Sequence, residues 1–331
     1  MRSMLASRSR GVALTQEAIV FLIFVATFSC FAIFLPGFRS LDNIGSLLQN
    51  VSILGILGLA MGLVVIGRGI DLAIVATMAI TTAWSLSLMN MGWPTALALS
   101  AGLCGALLIG AIQAVLIAYV EIPAIFATLA MATAVYGFGR IFLIDQDIIY
   151  LSGNAGPLQT MISGTLLGIP VPVWLMAVVA LVMYAVLRYT KIGVFIRSIG
   201  DNPLRARIAG MPVRPLIVLQ YMISAGIGFF AGLITSMVVG SMNTRIVVST
   251  MVYDVVLVVV LGGIGLSGGK GGVRNVIVGT LLIGTVLNGM TILNVPYTVQ
   301  NIVKGLILLV AITADSIVNP RDEQTSQQGD I

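Results

Sequence analysis

The sequence predicts an all-α polytopic membrane protein with about ten transmembrane helices. Of its 331 residues, 58% are hydrophobic and 9% are charged, and the mean hydropathy is +1.09. Soluble domains carry roughly a quarter charged residues. Apolar runs of about 20 residues recur along the chain, and such runs cross a hydrocarbon core of about 30 Å as helices. The predicted spans are 18–36, 44–66, 72–89, 95–118, 123–143, 172–189, 215–240, 252–266, 274–294 and 297–316.

Two of these spans need separate justification. The first follows three arginines, as a signal peptide does, but its apolar stretch is longer than a signal core and no small-residue cleavage site follows. We therefore expect a retained helix. The eighth contains the β-branched run Val255–Leu261, which is typical of a buried strand in a soluble protein. Between membrane spans we expect a helix, because lipid cannot satisfy an open strand edge.

The spans divide the chain into three parts. Residues 1–17 form a basic N-terminus, 18–316 a single transmembrane domain with a polar loop at 190–214, and 317–331 a polar tail. Placing both termini in the cytoplasm puts 13 of the 17 basic residues at or near the inner face, as the positive-inside rule requires. The same orientation places Ile144–Val171, which contains no Lys or Arg, outside the cell. The sequence therefore predicts an N-in, C-in topology.

The central loop region has the features of a docking surface. It carries six basic residues and one acid, Asp201. The six basic residues are Arg188, Lys191, Arg197, Arg205, Arg207 and Arg214. Asn202 and Pro203 suit the N-cap and first position of a short helix, predicted over about 203–209. A soluble protein partner and anionic lipid headgroups are both open as ligands. The pI of about 9.5 reflects this loop bias and is not evidence for nucleic-acid binding.

Polar residues within the spans are candidates for a solute path. Gln113, Tyr136, Asp254 and Asn288 are the tentative set. Interhelical hydrogen bonding is the open alternative for Gln113, Asn288 and also Lys304. Glu121 and Asp254 fall near span ends, where side chains reach water. Pairs of small residues four apart, such as Gly58 and Gly62, predict close helix packing.

Several motifs suggest enzymes and fail on inspection. Gly265–Gly268 has the GxSG form of intramembrane serine proteases, but the chain contains no histidine to act as a base. Gly263–Gly268 matches GxGxxG without the soluble βαβ unit or the following acid that a dinucleotide site needs. Gly269-Lys270 lacks the first glycine and the Ser or Thr of a phosphate-binding loop. We expect no catalytic residue and no metal site, and interpret residues 262–272 as a tight connection between helices.

Five segments together resemble the permease subunits of ABC importers in the ribose-type monosaccharide branch. Gly69–Leu72 is similar to the family's G-G-I-D-L-S segment, and Pro123–Leu129 to its P-x-F-I-x-T-L. Gly200–Met211 resembles its G-x-N…A…G-I segment, Tyr253–Gly271 its Y-E-L…V-L-G-G-x-S-L-x-G-G-x-G stretch, and Asn288-Gly289 its N-G pair. The resemblance runs from about residue 41 to residue 315.

The sequence also departs from the family pattern. Arg68 stands at a usual glycine, Ala73 at a serine, and Gln113-Ala114 at an Asn-Gly. Tyr136 occupies a frequent arginine position, with Arg140 one turn later. The sugar, and whether these departures alter specificity, are left open.

The resemblance implies a fold similar to the vitamin-importer (type II) ABC transmembrane domain, in a bacterial inner membrane. It implies a second permease copy or a paralogue, a cytoplasmic ATPase that holds ATP and Mg, and a periplasmic sugar-binding protein. The chain itself then needs no cofactor. The residues implied in coupling to the ATPase are Gly200, Asp201, Asn202, Pro203, Arg205, Arg207 and Gly210. The alternative function is a self-sufficient ion- or proton-coupled carrier, which usually places carboxylates at the membrane midplane.

Overall fold

A computed structural model describes residues 16–318, so most of the predicted N-terminal segment and the tail from residue 319 lie outside the described residues. Most of the described chain is helical. The helices are α1 (Gln16–Phe34), α2 (Leu41–Ile66), α3 (Ile74–Asn90), α4 (Thr95–Ala118), α5 (Ala124–Phe138), α6 (Gly156–Ser163), α7 (Val171–Tyr189), α8 (Lys191–Asp201), α9 (Pro203–Ile208), α10 (Val213–Val239), α11 (Met251–Leu261), α12 (Val273–Ile292) and α13 (Tyr297–Val318). The strands are β1 (Ile148–Tyr150), β2 (Thr165–Leu166), β3 (Ile169–Pro170) and β4 (Ser241–Asn243).

Each predicted span coincides with one helix, which confirms the all-α class. Seven of these helices are long and apolar enough to cross a membrane, among them Ala124–Leu143, in which a π-helical turn continues α5. Helices α3 (Ile74–Asn90) and α11 (Met251–Leu261) are shorter apolar helices, and α13 is apolar over Tyr297–Thr313. The number of crossings therefore stays a prediction, as does the topology.

The eighth span is a helix, as expected, but it ends five residues before its predicted boundary. Helix α11 stops at Leu261, where Gly262 and the left-handed Gly263 (φ 94°) turn the chain. Its 11 residues rise only about 16 Å, roughly half of a hydrocarbon core. The glycines were included in the predicted span because hydropathy does not register a change in backbone direction.

Helix α2 is the centre of the bundle. Every residue from Val51 to Ile66 is buried, and the helix packs against α7, α10, α11 and α12. Helix α3 is almost as enclosed, whereas α1 lies at the periphery with Val20 as its one buried residue and packs on α12. A helix that is apolar on all sides must be covered by other helices or by lipid. The central position of α2 therefore brings its C-terminal end into contact with several other segments.

The segment predicted to lie outside contains short strands. Strands β1 and β4 pair antiparallel with Ile149 opposite Met242, and β2 and β3 form a hairpin. Asp147 binds Arg140 (2.9 Å) and Arg245 (2.7 Å), which ties the end of α5 to the segment after β4.

The polar segment 190–214 is more ordered than the loop predicted there. Helix α8 occupies its first half, capped by the Thr190 hydroxyl, which accepts a hydrogen bond from the amide of Gly193 (3.3 Å). The buried residues of α8 lie on one face, at Gly193, Ile196, Ile199 and Gly200. Buried residues spaced at i, i+3 and i+4 define an amphipathic helix. Helix α8 is short and its apolar residues are interrupted by basic ones, so its hydropathy alone predicts a loop.

Candidate functional site

Helix α9 has the local structure that its sequence predicts. The Asn202 side chain accepts a hydrogen bond from the Arg205 amide (2.9 Å), and Pro203 occupies the first turn. Ala206 is buried, while Arg205 and Arg207 are exposed. The helix ends at Ile208, and the chain then turns at Gly210, whose φ of 78° lies in the left-handed region. The segment thus presents two guanidinium groups on a short, capped helix.

The start of this segment lies against two others that are distant in sequence. The Gly269 amide donates a hydrogen bond to the Ile66 carbonyl at the end of α2 (2.8 Å). A Cβ atom added at Gly200 would collide with that carbonyl oxygen and with the Gly269 amide. We call this contact of Gly200, Gly269 and Ile66 the three-segment junction. Backbone atoms meet directly there, so the end of α8 contacts the end of α2 and the connection between α11 and α12.

Next to the junction, residues 67–73 form a sharp turn between α2 and α3. Its carbonyl at Ile70 accepts hydrogen bonds from the Tyr221 hydroxyl of α10 (3.2 Å) and from the Thr128 hydroxyl of α5 (3.2 Å). Arg68 adopts a positive φ of 70°. A Cβ atom at Gly69 would stand 2.5 Å from the Tyr221 hydroxyl oxygen. Glycine is therefore required at that position for α10 to approach the turn.

Asp71 is the buried polar centre of this turn. Its side chain is fully enclosed and accepts hydrogen bonds from Ser224 of α10 (2.8 Å), Gln113 of α4 (3.2 Å) and the Ala73 amide (3.2 Å). The residue lies between the two helices, outside either of them. Burial raises the pKa of the Asp71 carboxyl to about 6, and the three hydrogen bonds act in the opposite direction. Through its hydrogen bonds with Gln113 and Ser224, the Asp71 carboxyl group joins the turn to α4 and α10.

A cavity of about 470 Å³ opens beside the turn. The ends of α4 and α8, the starts of α5, α9 and α10, and the connection after α11 enclose it. Its polar side chains are Arg68, Glu121, Arg207, Arg214, Gln220 and Ser267. The rest of its lining is apolar and includes six isoleucines, together with Tyr221. The cavity thus touches both the turn and helix α9.

The four residues predicted to line a solute path lie on four helices, and each has its own surroundings. Gln113 is fully buried against Asp71, and Tyr136 packs in the apolar cluster around α3. Asn288 of α12 exchanges two hydrogen bonds with Asn43 of α2 (2.9 and 3.1 Å). Asn288 thus makes the interhelical hydrogen bonds that were its alternative role, whereas Gln113 bonds the turn between α2 and α3. A path along these residues stays a prediction.

Asp254 differs from its predicted setting. It was expected to reach water from a span end, but its side chain is 14% exposed and pairs with Lys304 of α13, whose side chain is 8% exposed (2.9 Å). The Lys304 ammonium also donates to the Thr250 hydroxyl (2.9 Å). The prediction was wrong because a carboxylate near a helix end can be covered by the next helix, and the sequence did not show that Lys304 lies opposite.

Seven long apolar helices in the described part of the chain, most of them with largely exposed surfaces, together with the enclosed Asp71 and the exposed basic helix α9, are the features of a multi-pass membrane protein. The chain belongs to the permease family described as "Branched-chain amino acid transport system / permease component", whose profile matches residues 43–312.

Similar proteins cover almost the whole chain. The ribose import permease protein RbsC of Haemophilus influenzae is 32% identical over 287 residues, 86% of this chain and 88% of that protein. RbsC of Escherichia coli strain K12 is 29% identical over 91% of this chain and 93% of its own length. The L-arabinose ABC transporter permease protein AraH of Azospirillum brasilense is 28% identical over 93% and 91%, respectively. No solved structure matches the chain.

Sequence reasoning missed two residues of this region. Asp71 was part of a recognised segment but was not singled out, although an acid between two long apolar runs is a signal for a buried polar role. Gln220, on α10 beside the turn, was not considered at all. No pattern in the sequence marks it, because its importance depends on Gly67, against which its amide packs.

Proposed function

We propose that this chain is the membrane-spanning permease subunit of an ABC importer for a monosaccharide or related small carbohydrate. The observation that carries the proposal is its similarity, over nearly its whole length, to ribose and L-arabinose permeases. The chain lies in a bacterial inner membrane with both termini inside. A separate ATPase supplies ATP hydrolysis with Mg, and a periplasmic sugar-binding protein delivers the sugar. A second copy of this chain or a paralogue completes the membrane part.

Helix α9, with its flanks, is the proposed ATPase-docking element. The set Gly200, Asp201, Asn202, Pro203, Arg205, Arg207 and Gly210 forms it. Two features support the role: the exposed arginines stand on a capped helix, and Gly200 lies in the three-segment junction. ATP-driven movement of α9 then reaches α2 and the connection between α11 and α12 through these backbone contacts, and the bundle alternates between its two openings.

The test is charge reversal on α9. Arg205→Glu together with Arg207→Glu places two carboxylates on the docking face, and we expect ATP-driven uptake in reconstituted vesicles to fall at least about tenfold at unchanged permease levels. Arg205→Glu is also measured alone. Because Arg207 lines the cavity and Arg205 does not, the single variant tests docking without changing the cavity. Arg274→Glu, at an exposed basic residue in the first turn of α12 and outside the docking set, is the matched control and keeps uptake near wild type. Uptake that survives both α9 substitutions contradicts the docking role.

The carrier alternative has a direct test as well. The buried carboxyl group of Asp71 and the largely buried one of Asp254 are in its favour, since ion-coupled carriers place such groups in the membrane. The purified chain alone is reconstituted in liposomes with a proton or sodium gradient. We expect no sugar accumulation until ATPase, binding protein and ATP are added; accumulation driven by the gradient alone would reject the importer proposal.

A further inference from the structure

The cavity beside the turn carries features that packing alone does not explain. Gln220 lines it, is 2% exposed, and its amide nitrogen has no hydrogen-bond partner in the part of the chain that the structure describes. A buried donor without an acceptor is destabilising, so native structures leave few of them. Rotation of this amide toward the cavity would bring it to any acceptor held there.

The backbone of the cavity wall is also unusual. Among residues 16–318, four residues other than glycine have positive φ, and two of them, Arg68 (φ 70°) and Glu121 (φ 65°), line the cavity. Residues in this region of conformational space cost free energy and concentrate at ligand sites. Glu121 is further fixed by Arg214 (3.0 Å), whose guanidinium lies over the Tyr119 ring at 5.5 Å from its centre.

The chemistry of the lining selects the kind of ligand. The Glu121 carboxylate supplies acceptors, the guanidinium groups and the Gln220 amide supply donors, and the Ser267 hydroxyl supplies both. A solute that carries many hydroxyl groups uses donors and acceptors together, whereas an anion uses donors only and leaves the acceptor oxygens of the carboxylate unused. Isoleucine walls suit the C–H faces of a sugar ring. The volume of about 470 Å³ lies within the range of about 300–1,000 Å³ for small-molecule pockets.

We propose that this cavity binds the transported sugar on the cytoplasmic side and that its occupancy inhibits further import. The inference rests on the proposed function and extends it to regulation. Pro203 and Arg207 of α9 line the same cavity as Gln220, so a bound sugar contacts the helix that must move during transport. Sugar that accumulates inside then holds α9 in one position and slows its own uptake.

The first measurement is binding. D-Ribose and L-arabinose are screened for ATP-driven uptake by the complete assembly, and the imported sugar is then bound to purified permease–ATPase complex without binding protein. We expect saturable binding that weakens about fivefold to tenfold in Gln220→Leu, the effect of one lost hydrogen bond. Gln146→Leu, at an exposed position before β1, keeps the wild-type affinity.

The second measurement is uptake into vesicles preloaded with the same sugar. We expect internal sugar to lower the initial rate of wild type and of Gln146→Leu, and to have less effect on Gln220→Leu. Ile125→Trp, which fills the cavity from an exposed wall position, provides a second variant if Gln220→Leu does not fold. It loses both binding and internal inhibition.

The outcomes separate the two proposals. If the complete assembly imports neither of these sugars nor any other member of a panel of monosaccharides and polyols, the proposed function fails. If import is normal but Gln220→Leu and Ile125→Trp change neither sugar binding nor internal inhibition, only the cavity inference fails. If inorganic phosphate displaces the sugar and binds more tightly, the cavity is an anion site, and the inference is likewise overturned.

Discussion

Asp71 stands between two long apolar runs, and its carboxyl group is enclosed by three hydrogen-bond donors. Ser224 and Gln113 come from helices far away in sequence, and the Ala73 amide comes from the turn itself. A buried carboxyl group is tolerated only when its oxygens are bonded. The residue therefore holds a turn whose carbonyl at Ile70 also binds α5 and α10.

Replacement of Asp71 by alanine should destabilise the protein. The Ser224 hydroxyl and the Gln113 amide would lose their acceptor, at about 1–3 kcal/mol for each group left unpaired. We expect the melting temperature of the detergent-purified protein to fall by several degrees in Asp71→Ala and less in Asp71→Asn, which keeps one acceptor oxygen. Asp145→Asn, at an exposed position, is the control. Equal melting temperatures for all three variants would show that the network is not stabilising.

At the scale of the elements, close backbone approach is what holds helices together here. Gly110 of α4 faces the Tyr221 carbonyl of α10, and an added Cβ atom would stand 2.7 Å from that oxygen. Added Cβ atoms at Gly58 and Gly62 of α2 would lie 2.9 and 3.0 Å from Val276 of α12. The small-residue spacing therefore predicted packing correctly, since lipid gives no hydrophobic drive and dispersion needs close contact.

A single methyl group at Gly110 tests this packing. Gly110→Ala must separate α4 from α10 because a carbonyl cannot yield as a side chain can, and overpacking of this kind costs about 1–3 kcal/mol. Gly137→Ala is the matched control, because nothing lies within 4 Å of a Cβ atom added to that residue of α5. Thermal stability in detergent should fall for the first variant and stay or rise for the second. The reverse order would refute the packing argument.

The ion pair between Asp254 and Lys304 is a second kind of contact between helices, and it joins α11 to α13. Lys304→Met leaves a largely buried carboxylate without its cation, which is strongly destabilising in such sites, whereas replacing both partners with apolar residues is often neutral. We expect a lower melting temperature for Lys304→Met and recovery in Lys304→Met with Asp254→Leu. If Asp254→Leu does not restore stability, Lys304 stabilises the protein through its hydrogen bond to the Thr250 hydroxyl and not through Asp254.

At the scale of the whole molecule, the two polar ends of the bundle differ in kind. One end holds the three-segment junction, the cavity and α9, and the other holds the short strands, α6 and the Asp147 cluster. The predicted N-in, C-in topology would place the first end in the cytoplasm. Each end offers a highly exposed residue for labelling: Leu167 in the hairpin, 84% exposed, and Ile208 on α9, 79% exposed.

Cysteine accessibility tests the topology. In a background with Cys30 and Cys104 replaced by alanine, Leu167→Cys should react with a membrane-impermeant thiol reagent in intact spheroplasts. Ile208→Cys should react only in inverted vesicles. Because the two positions are almost equally exposed, differences in reactivity report the side of the membrane. The opposite labelling pattern would invert the topology, and with it the assignment of α9 to an ATPase.

The sequence by itself determined the class, the positions of the apolar helices and the capped start of α9. These features depend on local interactions: a run of apolar residues demands a helix in lipid, and the Asn202 cap bonds a residue three positions away. The tertiary structure alone decided which polar groups meet. Asp71 and Ser224 are 153 residues apart, Asn43 and Asn288 are 245 apart, and the cavity draws on the ends of several helices. Such contacts follow from how whole helices pack, and no residue pattern within a single segment encodes the partner that packing brings opposite it.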